Sequence, residues 1–385
     1  MSRSTTPRVS RRTATTLERL LSLIVFAVPP CLPAQASTHV SPPAPITETM
    51  PHARTSVAKP VIAILGDTSG VELTDFLVPR ATLAESGVAQ VIVVAASTGK
   101  IPLKPSTLTI DADMTFAAFD AAHSHGADYI IVPAMVKPEN AAVRAWLQAQ
   151  AARGATIVSI CEGARVVAGA GLFDGRRATT HWHALDDVAK KYPRVTWVRN
   201  SRYVIDDHLI STTGVSASLP VSIFLIERIA GRPAADSAAR RLGIDSWDNR
   251  HDTDAFLLTK WMYVKAATNY LAWWRHDVVA VQVSDGVDEV ALALTMDAIP
   301  RTMRATALTW SELGGSVVGR QGLRISVDRS RASLERSARQ LALPGTSVAP
   351  SVALDSALVR LGAWYGVDAR ELIRIGMEYP TRPAR

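Results

Sequence analysis

The chain has only two cysteines in 385 residues, Cys31 and Cys161. That excludes a disulfide-stapled scaffold and any thiolate-rich metal site. Aromatic residues are few, at 6%. No apolar run after residue 36 is long enough to span a bilayer. Acidic residues show no surplus: the formal net charge is +7, with basic residues crowded at the start.

Those basic residues have a local explanation. Arg3, Arg8, Arg11, Arg12 and Arg19 precede the apolar run Leu20 to Val28, and Ala34-Gln35-Ala36 follows. This is the pattern of a secretory signal over residues 1–36. It fits a Sec-type route better than a twin-arginine one, although Arg11-Arg12 hints at the latter. An exported, periplasmic or secreted protein is expected. Removal of the segment would take away five arginines, one glutamate and Cys31. The remainder would hold one thiol, Cys161, and a net charge of about +3, which gives no reason to expect nucleic-acid binding. No stable membrane insertion is expected after cleavage.

Residues 37–59 are rich in Pro, Ser, Thr and Ala and read as a disordered linker. From residue 60 the pattern alternates. Short apolar runs at Val61 to Leu65, Val91 to Ala95, Tyr129 to Val132 and Thr156 to Ile160 read as buried strands. Helical spacing lies between them, at Thr74 to Glu85, Thr115 to Ser124 and Ala141 to Arg153. Such alternation implies an α/β fold with a mostly parallel sheet covered on both faces. A further helix, Val221 to Ala230, completes a unit at about residue 231.

Residues 232–275 read as a connecting helical segment, with Trp261, Trp273 and Trp274 expected to pack in a core or between segments. Residues 276–385 read as an α/β extension. Val278 to Asp288 resembles Val61 to Glu72, and Gly322 to Asp328 echoes Ser106 to Asp113, the pattern of a partial repeat of the first β-α-β unit. The repeat has no cysteine.

Cys161 ends an apolar run and precedes Glu162-Gly163 and a helix. A strand-to-helix turn of this kind lifts a side chain out of the sheet and aims backbone N–H groups at what it attacks. In parallel sheets ligands bind at the carboxyl ends of strands, which is where Cys161 sits. A buried, inert thiol is the bland alternative. His181-Trp-His183 would pair on a strand, but no third ligand is identifiable, so neither metal nor cofactor is expected.

The elbow Ser159-Ile-Cys-Glu-Gly-Ala164, the run Gly171-Leu-Phe-Asp-Gly-Arg-Arg-Ala-Thr-Thr-His-Trp182 and Ser211-Thr-Thr-Gly214 together resemble the ThiJ/PfpI superfamily, the class I glutamine amidotransferase-like fold. The nearest flavour is the amidase-like domain of AraC-type regulators. The resemblance covers about residues 60–231 and implies a flavodoxin-like three-layer sandwich. It implies Cys161 as nucleophile, His181 as a nearby base or acid, and Asp75 as the carboxyl beside the sulfur. Backbone N–H groups of Glu162 and of the Ala134-Met135 turn would form the oxyanion pocket. The family's glycines are absent from that turn, which reads Pro133-Ala134-Met135, and the peptidase branch's histidine after the cysteine is replaced by Glu162. A protease is therefore not expected. Nor is DNA binding, since residues 276–385 lack the regulators' two-helix pattern.

Three function classes fit: a cysteine-dependent hydrolase, hydratase or lyase on a small electrophile; a ligand- or oxidation-sensing protein; and a structural protein with an inert thiol. A small molecule is the expected partner. Family members commonly dimerise, so a homodimer or an internally pseudo-dimeric monomer is expected.

Overall fold

The computed structural model describes residues 59–380. The signal pattern at 1–36 and all but the last residue of the linker lie outside the described residues.

The first sheet holds β1 (Val61–Leu65), β2 (Gln90–Ala95), β3 (Met114–Thr115), β4 (Tyr129–Val132), β5 (Thr156–Ser159), β6 (Tyr203–Asp206) and β7 (Leu209–Thr212). Its strand order is β6-β7-β5-β4-β1-β2-β3. All neighbours are parallel except β6 and β7, an antiparallel hairpin turned at Asp207 with φ 57°. The central strands β1, β4 and β5 are buried along nearly their whole length because both of their faces are covered, and only Thr156 and Ser159 at the ends of β5 interrupt their apolar character. This is the mostly parallel α/β sheet that the alternating pattern implies, in the flavodoxin-like arrangement that the resemblance implies.

Helix α1 (Leu73–Ser86) starts on Glu72, whose carboxylate accepts the Asp75 N–H at 2.6 Å, and stops at Gly87 in the left-handed region. It is buried on nearly every side, polar Thr74, Asp75 and Thr82 included. Its outer face meets a second unit rather than water.

That unit is built on β8 (Asp277–Gln282), helix α2 (Glu289–Ala298), β9 (Ala305–Ser311), β10 (Arg329–Ser330) and β11 (Arg339–Leu341). The order β10-β9-β8-β11 is entirely parallel and reproduces β3-β2-β1-β4 of the first sheet. Equivalent aspartates do equivalent work. Asp113 accepts the Val93 N–H at 2.7 Å, and Asp328 accepts the Thr309 N–H at 2.7 Å. Each unit also carries a hairpin, Lys100–Lys104 with Thr109–Asp111 and Ser316–Val318 with Arg324–Ser326. Ile325 pairs with Ile110, which joins the two hairpins in one five-stranded sheet. Helices α1 and α2 pack together, with Thr74 donating to Asp297 at 3.0 Å. The strand Thr109–Asp111 therefore belongs to this shared sheet, not to the first.

The connecting segment contains two helices, Arg232–Leu242 and α3 (Lys260–Leu271). One expectation fails here. Trp261, Trp273 and Trp274 are 59%, 74% and 68% exposed and pack in no core. The helical spacing of α3 is real, but its apolar stripe faces outward. The described chain ends in α4 (Val352–Tyr365), α5 (Val367–Gly376) and a turn through Met377, Glu378 and Tyr379.

Candidate functional site

Strand β5 ends at Ser159, and two residues later the backbone of Cys161 takes φ 54°. A non-glycine residue held in the left-handed region is strained, and such strain persists only where the surroundings impose it. Here three contacts do so. The Cys161 N–H donates to Thr212 Oγ1 at 3.3 Å, and Thr180 Oγ1 donates to the Cys161 carbonyl at 2.8 Å. Gly163 lies against β4 so closely that a Cβ there would sit 2.1 Å from the Val132 carbonyl oxygen. The elbow is thus wedged between the ends of β4 and β7 and the loop that carries Thr180.

Cys161 is only 5% exposed. Burial pushes its thiol well above the ordinary range, and the charges of Asp75, Glu162, Glu72 and Glu378 push the same way. The helical segment that follows is short, Cys161–Gly163 and then Ala164–Gly169, so its dipole is a weak counterweight. The resting group is a neutral thiol.

Asp75 lies in the first turn of α1, fully buried. Its Oδ2 accepts the Ala134 N–H at 3.2 Å, while Oδ1 is buried without a hydrogen-bond partner. Burial raises this carboxyl to about 8, with Asp297 adding to the rise and the Ala134 N–H opposing it. Burial thus favours the carboxylic acid form of Asp75 at neutral pH. Glu72 is also raised well above its usual range by burial and by Asp297 and Asp75.

The counter-charge comes from the second unit. Arg301 lies 3.0 Å from Asp297 and 3.1 Å from Glu72, and donates to the Gly376 carbonyl at 2.9 Å. Burial works against its charge, but Asp297 and Glu72 outweigh it and hold the guanidinium firmly protonated.

His181 departs from its expected role. Its Nδ1 accepts the His183 N–H at 3.2 Å, so the proton sits on Nε2, which donates to the Gly376 carbonyl at 3.2 Å. Nε2 is also 3.8 Å from Glu378 Oε1. Both ring nitrogens are engaged by other partners, so this arrangement leaves His181 no free nitrogen to act as base toward the thiol. The segment His181 to His183 forms a turn, not a strand, and no cluster fit to hold a metal occurs among the described residues.

Glu378 organises this corner. Its Oε1 accepts the Trp182 N–H at 2.7 Å, and Oε2 lies 3.0 Å from His251 Nε2 without hydrogen-bond alignment. Burial works upward on it, but His181, His251 and the Trp182 N–H bring it down to about 2. Its backbone is strained at φ 49°. Trp182 Nε1 donates to the Ile375 carbonyl at 3.1 Å, and Ser216 Oγ to the Glu378 carbonyl at 2.7 Å. The turn after α5 is thereby sewn over the histidine loop.

The expected oxyanion donors divide. The Ala134 N–H is spent on Asp75 and is not free for an oxyanion. Met135 faces Val71 in an antiparallel bridge whose hydrogen bonds run through the Ala134 carbonyl and the Val136 N–H. The bridge therefore leaves the N–H of Met135 unspent. The N–H of Glu162 opens a helical turn, where no preceding carbonyl can reach it. The Glu162 side chain turns aside to Arg165, 2.6 Å away, which also pairs with Asp187.

Sequence reasoning missed Glu72, Asp297, Arg301, His251 and Glu378. Glu72 carried a local signal, an acid three residues before the first turn's Asp75 N–H needed a partner. The other four reach the site across long stretches of chain.

Residues 60–227 match the DJ-1/PfpI family. The HTH-type transcriptional regulator CdhR of Pseudomonas aeruginosa is 36% identical over 107 residues, 27% of this chain and 32% of that protein. The isonitrile hydratase of Pseudomonas putida is 31% identical over 142 residues, 36% of this chain and 55% of that protein. The chain thus spans about a third of the first relative and about half of the second. Oxidised DJ-1 of Toxoplasma gondii superposes with a TM-score of 0.42 at 20% identity, over 49% of this chain and 100% of that one. Residues 60–227 thus form a domain of the DJ-1/PfpI family.

Proposed function

We propose that the domain is a cysteine-dependent hydratase or hydrolase in which Asp75 is the acid partner of Cys161. The substrate class is a small electrophile with a carbon–nitrogen or carbon–oxygen multiple bond. The observation that carries this reading is the Asp75 carboxyl, kept protonated at neutral pH with a buried Oδ1 that no other group uses. A neutral thiol beside a neutral carboxylic acid suits addition across a multiple bond. Thiolate displacement chemistry would need a depressed thiol instead.

For an isonitrile, the substrate of the named relative, the balance is simple. The Asp75 proton goes to the terminal carbon, Cys161 Sγ bonds to that carbon, and the thiol proton returns to Asp75. The product is a thioimidate. Water then adds to the same carbon, the C–S bond breaks, and an N-substituted formamide leaves with the thiol restored. Negative charge developing on the substrate heteroatom of a carbonyl would meet the N–H groups of Glu162 and Met135.

A second reading, ligand sensing without turnover, is favoured by the burial of Cys161, which is only 5% exposed. Oxidation sensing is disfavoured, because a raised thiol presents little thiolate to an oxidant.

The test is trapping. The protein is incubated with small isonitriles, nitriles and aldehydes, and intact mass and product are followed. The proposal expects a Cys161 adduct and product release with at least one class, both absent in Cys161→Ser. Ligand-induced thermal shifts without adduct or product, equal in wild type and Cys161→Ser, would establish the sensing reading instead.

A further inference from the structure

Helix α3 exposes Trp261, Val264, Thr268 and Leu271, spaced by three, four and three residues along one face. The stripe continues into Trp273 and Trp274, whose rings meet edge to face at 6.0 Å. Leu271 is 67% exposed, and Val264 is half exposed. An amphipathic helix ordinarily turns such a stripe inward; this one buries Ala266 against α5 and presents its large apolar side chains to solvent.

The charges carried by the segment itself are of one sign. Between Ala255 and His276 the chain carries Lys260, Lys265 and Arg275 and no acidic residue. Lys265 lies over the Trp261 ring at 4.7 Å and is partly offset by Asp368, 3.4 Å away on α5. Lys260 and Arg275 flank the stripe at its two ends, both exposed. Tryptophans beside cations on a helix lying along the surface are the composition that settles at a membrane–water interface. The rings sit at headgroup depth and the cations meet anionic lipid. A self-association surface of the same size would have no need of a one-signed rim, since two copies would bring their cations together.

We propose that the stripe from Trp261 to Trp274 docks this protein peripherally on an anionic lipid bilayer, without spanning it. No described helix is long and apolar enough to cross one. The proposal is independent of Cys161.

The full chain is mixed with phosphatidylglycerol-rich vesicles and with pure phosphatidylcholine vesicles, then sedimented, with tryptophan emission recorded. Binding to the anionic vesicles is expected, with a blue shift and a loss of binding in high salt. The variant Leu271→Ser/Trp273→Ser/Trp274→Ser should lose about tenfold or more in partitioning. The variant Lys260→Glu/Arg275→Glu keeps the apolar stripe and should lose its preference for anionic vesicles. Circular dichroism matching wild type shows that both fold. If both variants bind as wild type does, the apolar run at Leu20 to Val28 is the anchor and the proposal fails. It fails equally if vesicles are ignored while light scattering shows a dimer that the serine variant dissociates.

Discussion

The backbone N–H of Trp182 donates to Oε1 of Glu378 at 2.7 Å, across 196 residues of chain. This one bond ties the loop after the cysteine elbow to the last turn of the described structure. It makes the repeat unit part of the site. Glu378 also faces His181 and His251, so its loss would leave the Trp182 N–H without its acceptor and remove the carboxylate beside two buried histidines. Glu378→Ala should cost about 3–5 kcal/mol by urea unfolding at neutral pH, and should speed alkylation of Cys161 by iodoacetamide.

The pH dependence of that contribution has a definite sign. The folded carboxyl lies near 2, below its ordinary value of 4.5. Its stabilisation is therefore complete above about 4.5 and is lost as pH falls toward 2. Unfolding midpoints of wild type and Glu378→Gln should converge between pH 4.5 and pH 2. A gap of constant size across that window would show that Glu378 is not held ionised.

Asp75 behaves in the opposite sense. Its folded value of about 8 lies above the ordinary 3.8, so its contribution is full below 3.8 and is lost as pH rises through about 8. Asp75→Asn should gain on wild type in unfolding midpoint as pH rises from about 4 to about 8. A difference that does not change with pH would contradict a protonated Asp75.

Two glycines are held by their neighbours. At Gly163 an added Cβ would meet the Val132 carbonyl oxygen at 2.1 Å, and that backbone cannot yield. At Gly214 it would meet the His181 ring at 2.5 Å and the Glu378 side chain at 2.8 Å. Gly214→Ala should destabilise by about 1–3 kcal/mol and should loosen the turn over the site, seen as faster Cys161 alkylation. Gly163→Ala should be the more damaging of the two.

Arg301 is the partly buried cation among the acids of the site, and its charge would favour a thiolate at Cys161. Arg301→Ala should cost about 3–5 kcal/mol by leaving Asp297 and Glu72 unpaired. It should also move the alkylation profile of Cys161 to still higher pH. Arg301→Lys should recover part of both, which separates charge from packing.

The sheet was legible because its strands are continuous apolar runs separated by helical spacing. That period survives at Val61 to Leu65 and at Tyr129 to Val132 whatever surrounds them. Cys161 and Asp75 were legible through the local motif of an elbow and a helix start. The state of Asp75 was not, because it depends first on its burial, to which the second unit packed on α1 contributes, and then on the Ala134 N–H and the charge of Asp297, more than two hundred residues away. His181 was read as a partner of the thiol because motif spacing reports proximity; which nitrogen is free depends on the Gly376 carbonyl and on Glu378. The tryptophans at 261, 273 and 274 misled for the same reason. Hydrophobic spacing finds a helix face but does not say whether anything covers it.

The central claim is that Asp75 supplies the proton for addition of Cys161 to its substrate. The most direct measurement is the rate of Cys161-dependent formamide formation from a small alkyl isonitrile, followed by proton NMR from about pH 5 to about pH 10. The account predicts a rate that is flat at low pH, falls as pH rises through about 8, and vanishes in Asp75→Asn. A rate that instead climbs with pH above 9 and survives in Asp75→Asn would contradict it.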